Sequence, residues 1–435
     1  MLVLALPWVP GVRPAHRSLL LRFAILALVA VSPTGNVIAA DSEGPAVSPT
    51  TAFADANADF GFDLFRAIEP AGRNAVLSPH SIAVALAMAR SGAAGETARQ
   101  MDQVLRLQPD ASAAYRSLAT ALAAVRAVPE PGPDGRWHDV PAYVLAIANG
   151  LFCQEGWSFR EAFRRRVTDD FGAEFRELDF GRPETARSAI NQWAEDKTQK
   201  RIKDLVSPGI LGADTRMVLA NAIHLKASWA ERFPEAATED APFFVAPGRS
   251  VTTPRMRKTA DLAYSETPEA QVVEIPYRGD DTGMLVVLPK EKDGLDALVR
   301  SFSGEKLRSW TTGLRARAVS VELPRFTFTW RLELRAMLEK LGMTDAFDAN
   351  KADFTGIATD KSLFIGAVLH KAFVAVDEKG TEAAAATAVE MEYSSVRVPA
   401  KPIPFVADHP FLFLLRHEKT GTILFLGQVV DPTAK

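Results

Sequence analysis

The side chains able to do chemistry in this chain are dispersed. Its seven histidines are His16, His80, His138, His224, His370, His409 and His417, and no two sit at metal-ligand spacing on one helix. Paired C-x-x-C, Walker A, G-x-G-x-x-G and G-x-S-x-G patterns are missing. Ser303 and Lys306, in "SGEK", fit the S-x-x-K spacing by which a lysine assists an acylated serine. That four-residue match falls in a polar stretch expected to be a surface loop. His370, in "AVLHKAFVAV", shares a strand face with Val368, Ala372 and Val374, the setting of a hydrogen-bonded core histidine. The single cysteine, Cys153, excludes an intrachain disulfide and reads as a small buried hydrophobe. The residues therefore predict no catalytic site, no metal and no cofactor.

The elements that carry these residues belong to a chain of 435 residues, 47% hydrophobic and 24% charged. Length alone suggests two or three domains. No Gly/Ser/Pro linker divides the chain, so one large domain is expected, with "VPEPGPDGRWHDVP" (128–141) as a surface loop. The first 40 residues hold Arg13, Arg17 and Arg22 and no acid, then "FAILALVAV", then "NVIAA". That order is expected of a secretory signal cleaved near Ala39 or Ala40, followed by a flexible segment over 41–54. The product would be secreted or periplasmic, with no membrane attachment after cleavage. Without those arginines, 47 basic residues face 53 acidic ones, a balance that argues against a nucleic-acid partner.

Helical signals fill the first half. "NAVLSPHS" (74–81) reads as a turn and cap before a long run rich in small residues, Ala83, Ala85, Ala87 and Ala89 among them. Residues 186–206 are amphipathic, and "LELRAMLEKLG" ends on Gly342 at the position of a C-terminal cap. Strand signals follow, with hairpin turns at Gly279–Gly283 and at Gly421. Helices early and antiparallel strands late give an α+β class with large sheets.

Residues 377–395, "DEKGTEAAAATAVEMEYSS", fit neither a core nor a plain linker. Read as a strand, Thr381, Ala383, Ala385, Thr387, Val389, Met391 and Tyr393 line one uncharged face. Glu382, Glu390 and Glu392 fall on the other. Read as a helix, Glu382, Ala386, Val389 and Tyr393 would share a stripe that mixes charge with apolar groups. An exposed, protease-accessible loop suits the small residues equally well, and the two readings are compatible at different times.

Here the chain resembles the serpins, over roughly 55–433. "EKGTEAAAATAV" (378–389) resembles the hinge of an inhibitory reactive-centre loop, and "FVADHPFLFLL" (405–415) the signature that follows it. "NAVLSPHSI", "INQWAEDKTQKRIKDLV", "LANAIHLKASW", "LPRF", "LEKLGMTDAF" and "LHKAFVAVDEKG" match in the family's order and spacing. Ala227 and Lys200 depart from it, each standing where glycine is common.

The resemblance implies an α+β serpin fold with three sheets (a large central sheet A plus B and C), eight to nine helices and an exposed reactive-centre loop over 378–404. Together with the signal-like start it gives the expectation of an exported, bacterial serpin, and the resemblance implies an inhibitory member acting as a monomeric suicide substrate of a serine protease. The cleaved loop would insert 381–393 as a new strand of the central sheet, a displacement of roughly 40 Å. The hinge would be Gly380, Thr381, Glu382, Ala383, Ala384, Ala385, Ala386 and Thr387. Asn74, Ser78, Ser81, Asn221 and His370 resemble the polar shutter under the opening sheet, and Trp229 the tryptophan at the breach where insertion starts. The loop's usual length puts the cleaved bond at Ser394–Ser395, suiting an elastase-like protease. One residue shorter gives Tyr393–Ser394, for a chymotrypsin- or subtilisin-like protease, and Arg397 would suit a trypsin-like one. The rivals are a non-inhibitory serpin acting as carrier or plain substrate, and an acyl-serine hydrolase.

Overall fold

The structure, a computed structural model, describes residues 49–107, 111–131, 136–359, 363–382 and 401–435. The chain opens with α1 (Pro49–Ile68), β1 (Ala75–Leu77), α2 (Pro79–Arg90), α3 (Gly95–Leu105) and α4 (Ala111–Ala123). Next come β2 (Ala127–Pro131), β3 (Trp137–Pro141), β4 (Tyr143–Gln154), α5 (Glu161–Phe171), β5 (Glu174–Leu178), α6 (Pro183–Lys197) and β6 (Met217–Ser228). The strands β7 (Glu239–Ala246), β8 (Arg249–Glu266), β9 (Ala270–Pro276) and β10 (Thr282–Pro289) precede α7 (Leu295–Ser301) and α8 (Gly304–Gly313). The chain closes with β11 (Arg315–Pro324), β12 (Phe326–Glu333), α9 (Arg335–Lys340), β13 (Ile365–Asp377), β14 (Gly380–Thr381), β15 (Ile403–Val406), β16 (Phe411–His417) and β17 (Thr422–Val429).

Among the described residues there are two large sheets. The six-stranded central sheet has the order β12-β13-β14-β6-β4-β5. The second runs β1-β17-β16-β10-β9-β8-β11-β15, with β7 added on β8. The long β8 pairs with β7, β11 and β9 in turn, so it joins two arms that the resemblance implies as separate sheets B and C. The β9–β10 and β16–β17 hairpins form where their turn residues predict them.

Alternation explains the layers. On β6, Leu219, Ile223, Leu225 and Ala227 point into the main core between the sheets. Val218, Ala220 and Ala222 point the other way, into a smaller core with Ile190 and Trp193 of α6. The central sheet is thus covered on both faces, by the second sheet and by α6, and nearly every β6 side chain is buried.

Five expectations change. Two of them concern helices: the amphipathic stretch 186–206 is helical only to Lys197, and "SGEK" opens α8 instead of forming a surface loop. The small-residue run after Ser81 is two helices, broken at residues 91–94; a Cβ on Gly92 would stand 2.3 Å from Ile357 Cγ1. Within the proline-rich 128–141 stretch, β2 pairs antiparallel with β3, and Pro129, Pro131 and Pro141 are tolerated because, among the described residues, this ribbon has no third strand. Helix α1 begins at Pro49, inside the segment expected to be flexible. The Gly342 cap is present, with φ at +111°.

Candidate functional site

Two residues of the loop hinge are already part of the central sheet. Gly380 and Thr381 pair with Asp377 and Val376 of β13 on one side and with Ser228 and Ala227 of β6 on the other. Below them β13 and β6 pair directly, in parallel, from Ala372 opposite Ile223 down to Ala367 opposite Val218. Opposed β13 and β6 residues are offset by the same number of positions in both regions: Val376 and Ala227 flank Thr381, and His370 faces Asn221. A strand entering antiparallel to both edges would keep one register throughout.

Gly380 is required where it stands. Its φ is +148°, and a Cβ there would meet the Ala227 carbonyl oxygen at 2.1 Å. Thr381 is buried, with its hydroxyl 2.5 Å from that of Tyr277. Burial pushes the Tyr277 phenol up, so it stays a hydroxyl that can donate. Tyr277 stacks on Trp229, centroids 4.5 Å apart with 4° between planes. Trp229 donates its backbone N–H to Lys379 and its indole N–H to Asp377, both at 2.9 Å. Burial works to raise the Glu378 carboxyl, but hydrogen bonds from Arg325 (2.7 Å) and Thr238 (2.5 Å) bring it below the usual value. The top of the sheet is thereby fastened on both sides of the inserted pair.

Glu382 ends the insertion. Its φ of +49° turns the backbone out of the strand, although its N–H still donates to the Ala375 carbonyl at 2.9 Å. Its carboxylate lies on the opposite face from Thr381, paired with His224 of β6 and with Arg201, 2.5 Å away. Thr381 and Glu382 thus occupy the faces that alternation assigns them.

Halfway down the sheet a second cluster ties β13, β6 and α2 together. Ser78 N–H donates to His370 Nε2 at 3.1 Å, so that nitrogen is unprotonated and Nδ1 carries the proton. Nδ1 in turn donates to Asn221 Oδ1 at 2.5 Å. The Asn221 amide nitrogen donates to Ser81, through its carbonyl at 3.2 Å and its hydroxyl, and to Asn149 Oδ1 at 2.5 Å. Ser78 also caps α2, accepting from the Ser81 N–H at 3.2 Å. Burial holds His370 down to about 3, which keeps the neutral tautomer this network needs.

The structure brings Ser78, Ser81, Asn221 and His370 together but sets Asn74 apart. The Asn74 amide bonds the chain's end instead, donating to Asp431 and Ala434 carbonyls and accepting from Val430 and Asp431 N–H groups. Sequence reasoning missed Asn149, Tyr277, Arg201 and His224. Asn149 carried a signal, as the one amide side chain inside "YVLAIANGLF". Ala383, Ala384, Ala385, Ala386 and Thr387 of the hinge, and the proposed bond at Tyr393, Ser394 and Ser395, lie outside the described residues.

The S-x-x-K stretch has a structural role. Ser303 is the N-cap of α8, its Oγ accepting from the backbone N–H of Lys306 at 3.2 Å. Lys306 Nζ turns away to Ser301 and Glu269. Cys153 is buried, and burial pushes its thiol well above the ordinary value.

Residues 55–432 match the family described as "Serpin (serine protease inhibitor)". An uncharacterized serpin-like protein of Thermococcus kodakarensis is 38% identical over 374 residues, covering 86% of this chain and 84% of that protein. Leukocyte elastase inhibitor of Sus scrofa is 38% identical over 394 residues, covering 87% and 98%. The crystal structure of Serpin48 from the insect Tenebrio molitor superposes with a TM-score of 0.76 at 31% identity, covering 87% and 98%. The fold with its seated hinge, the ordered motifs and these matches agree: this chain belongs to the serpin family.

Proposed function

We propose that this chain inhibits serine endopeptidases as a suicide substrate and is not itself an enzyme. The observation that carries this reading is the common register of β13 and β6 above and below Thr381. Continued down that register, Ala383 would sit between Val374 and Leu225, Ala385 between Ala372 and Ile223, and Thr387 between His370 and Asn221. All these neighbours face the main core or the polar cluster, and the incoming side chains are small and uncharged. A charge there would need costly desolvation. Ala384, Ala386 and Ala388 would face the α6 side, where Phe373 and Lys371 are half-buried.

Insertion must break the His370–Asn221 hydrogen bond and offer Thr387 in exchange. That hydroxyl can donate and accept, so both groups regain a partner without a buried unpaired atom. The polar cluster then acts as the shutter: it holds the sheet closed in the resting chain and accepts the new strand. Trp229 acts as the breach residue that keeps the entrance formed.

The target follows from the loop. Cleavage at Ser394–Ser395 suits an elastase-like protease, in keeping with the name of the leukocyte elastase inhibitor relative. Cleavage at Tyr393–Ser394 suits a chymotrypsin- or subtilisin-like one. The chain works as an exported monomer, its first 40 residues a signal and 55–433 the serpin domain. The mature protein is incubated with elastase, chymotrypsin, subtilisin and trypsin, then run on denaturing gels with mass spectrometry. The expected result is a covalent band and a released peptide starting at Ser395 or Ser394. Rapid loop cleavage without such a band, by every protease, would leave the non-inhibitory reading.

A further inference from the structure

The hinge stops two residues into the sheet, and the residue at which it stops carries its own restraint. In the shared register Glu382 would lie opposite Lys226, and Ala384 opposite His224. Instead the left-handed turn at Glu382 brings its carboxylate down to His224, the neighbourhood that Ala384 would take on insertion. For a residue with a Cβ this backbone conformation is sparsely populated, and Gly380 already serves the tight turn before it. Arg201 closes the arrangement from the segment after α6, where Gln199 and Lys200 also have positive φ (+52° and +64°). Lys226 is the further cation near this carboxylate.

We propose that Arg201, His224 and Glu382 form a clamp that arrests loop insertion at residue 382, tying the hinge to the α6–β6 connection until the clamp breaks. The proposal rests on the insertion reading above. Before Ala383 can enter, Glu382 must become extended, and its carboxylate must leave His224 and Arg201 for Lys226. Burial raises the Glu382 carboxyl while Arg201 and Lys226 oppose that rise, so removing Arg201 leaves the ionised group poorly compensated where it stands. Gly380 and Thr381 stay paired on both edges, and Thr381 stays against Tyr277. Residue 382, once freed, remains at the mouth of the gap and the hinge moves inward.

The test uses the intact mature chain without protease, held warm below unfolding, with the inserted form counted on urea-gradient gels by its resistance to urea. Arg201→Ala is expected to speed conversion about tenfold, Arg201→Lys to restore most of the original rate, and Arg201→Ala placed on Glu382→Gln to change that parent's rate less than twofold. Hydrogen exchange in the Arg201→Ala protein should leave the Thr381 amide protected. Equal effects of Arg201→Ala in both backgrounds, an unchanged or slowed rate, or loss of protection at Thr381 would overturn the clamp while leaving insertion intact. Absence of an inserted form in every uncut variant would overturn the clamp, whereas a loop-cleaved chain that also stays urea-sensitive would overturn the insertion reading and the clamp with it.

Discussion

The hydroxyls of Thr381 and Tyr277 meet inside the core at 2.5 Å, while the next residue, Glu382, pairs with Arg201 on the far side of the same sheet. One peptide step thus separates a buried, uncharged lane from a charged anchor. The account of function turns on that lane continuing through residues 383–389.

Thr381→Arg tests the lane at its first position. A guanidinium beside Tyr277 and Trp229 would lack an acid partner there, and burying an unpaired charge costs several kcal/mol. The variant should be cleaved as a substrate, with the covalent complex reduced at least tenfold on densitometry of denaturing gels. Ala385→Pro, which removes a ladder donor, should do likewise. Unchanged yields for both would sink insertion as the trapping step.

The shutter makes a stability prediction. His370→Ala leaves the Ser78 N–H and Asn221 Oδ1 without their buried partner, at about 1–3 kcal/mol per unsatisfied group. The midpoint of urea unfolding should fall accordingly. A midpoint equal to that of the parent protein would mean the network contributes nothing to holding the sheet closed.

Acid should loosen the fold. Burial holds His80 down to about 4, His224 to about 4 with help from Arg201 and Lys226, and His370 to about 3, against an ordinary 6.5. Below 6.5 the unfolded chain binds protons that the folded chain refuses, so stability declines from there toward pH 4. Glu418 acts oppositely. Burial, with Glu274 nearby, lifts it from 4.5 to about 7, so its contribution is full below 4.5 and lost as pH rises through 7. Unfolding curves between pH 4 and 7 should show a net loss of stability toward acid, steeper in Glu418→Gln. A flat profile in both proteins would contradict these assignments.

Cys153 should be inert to a thiol reagent in the folded chain and react fully in urea, since its sulfur is buried and its thiolate disfavoured. Rapid labelling of the native protein would show that β4 opens far more readily than its packing implies.

The period-two alternation at 381–382 was legible because it depends only on neighbouring residues, and the structure keeps Thr381 and Glu382 on opposite faces. The turns at Gly279–Gly283 and Gly421 and the cap at Gly342 were legible for the same reason. Partners set by distant packing were not. His224 was one of seven dispersed histidines, and only the fold brings Glu382 to it from 158 positions later. Asn74 lay in a motif that suggested the shutter, yet it captures backbone groups at residues 430, 431 and 434. The break at Gly92 answers to Ile357, which no local pattern announces. Pro129, Pro131 and Pro141 hid the β2–β3 pairing because a two-stranded ribbon tolerates what a central strand would refuse.

The central claim is that the cut loop becomes a strand between β13 and β6. Hydrogen exchange on the isolated covalent complex, compared with the intact chain, measures this directly. The account predicts strong new protection of amides 383–389 and the loss of direct β13–β6 pairing around His370 and Asn221. Loop amides that still exchange freely in a complex whose protease is trapped would contradict it.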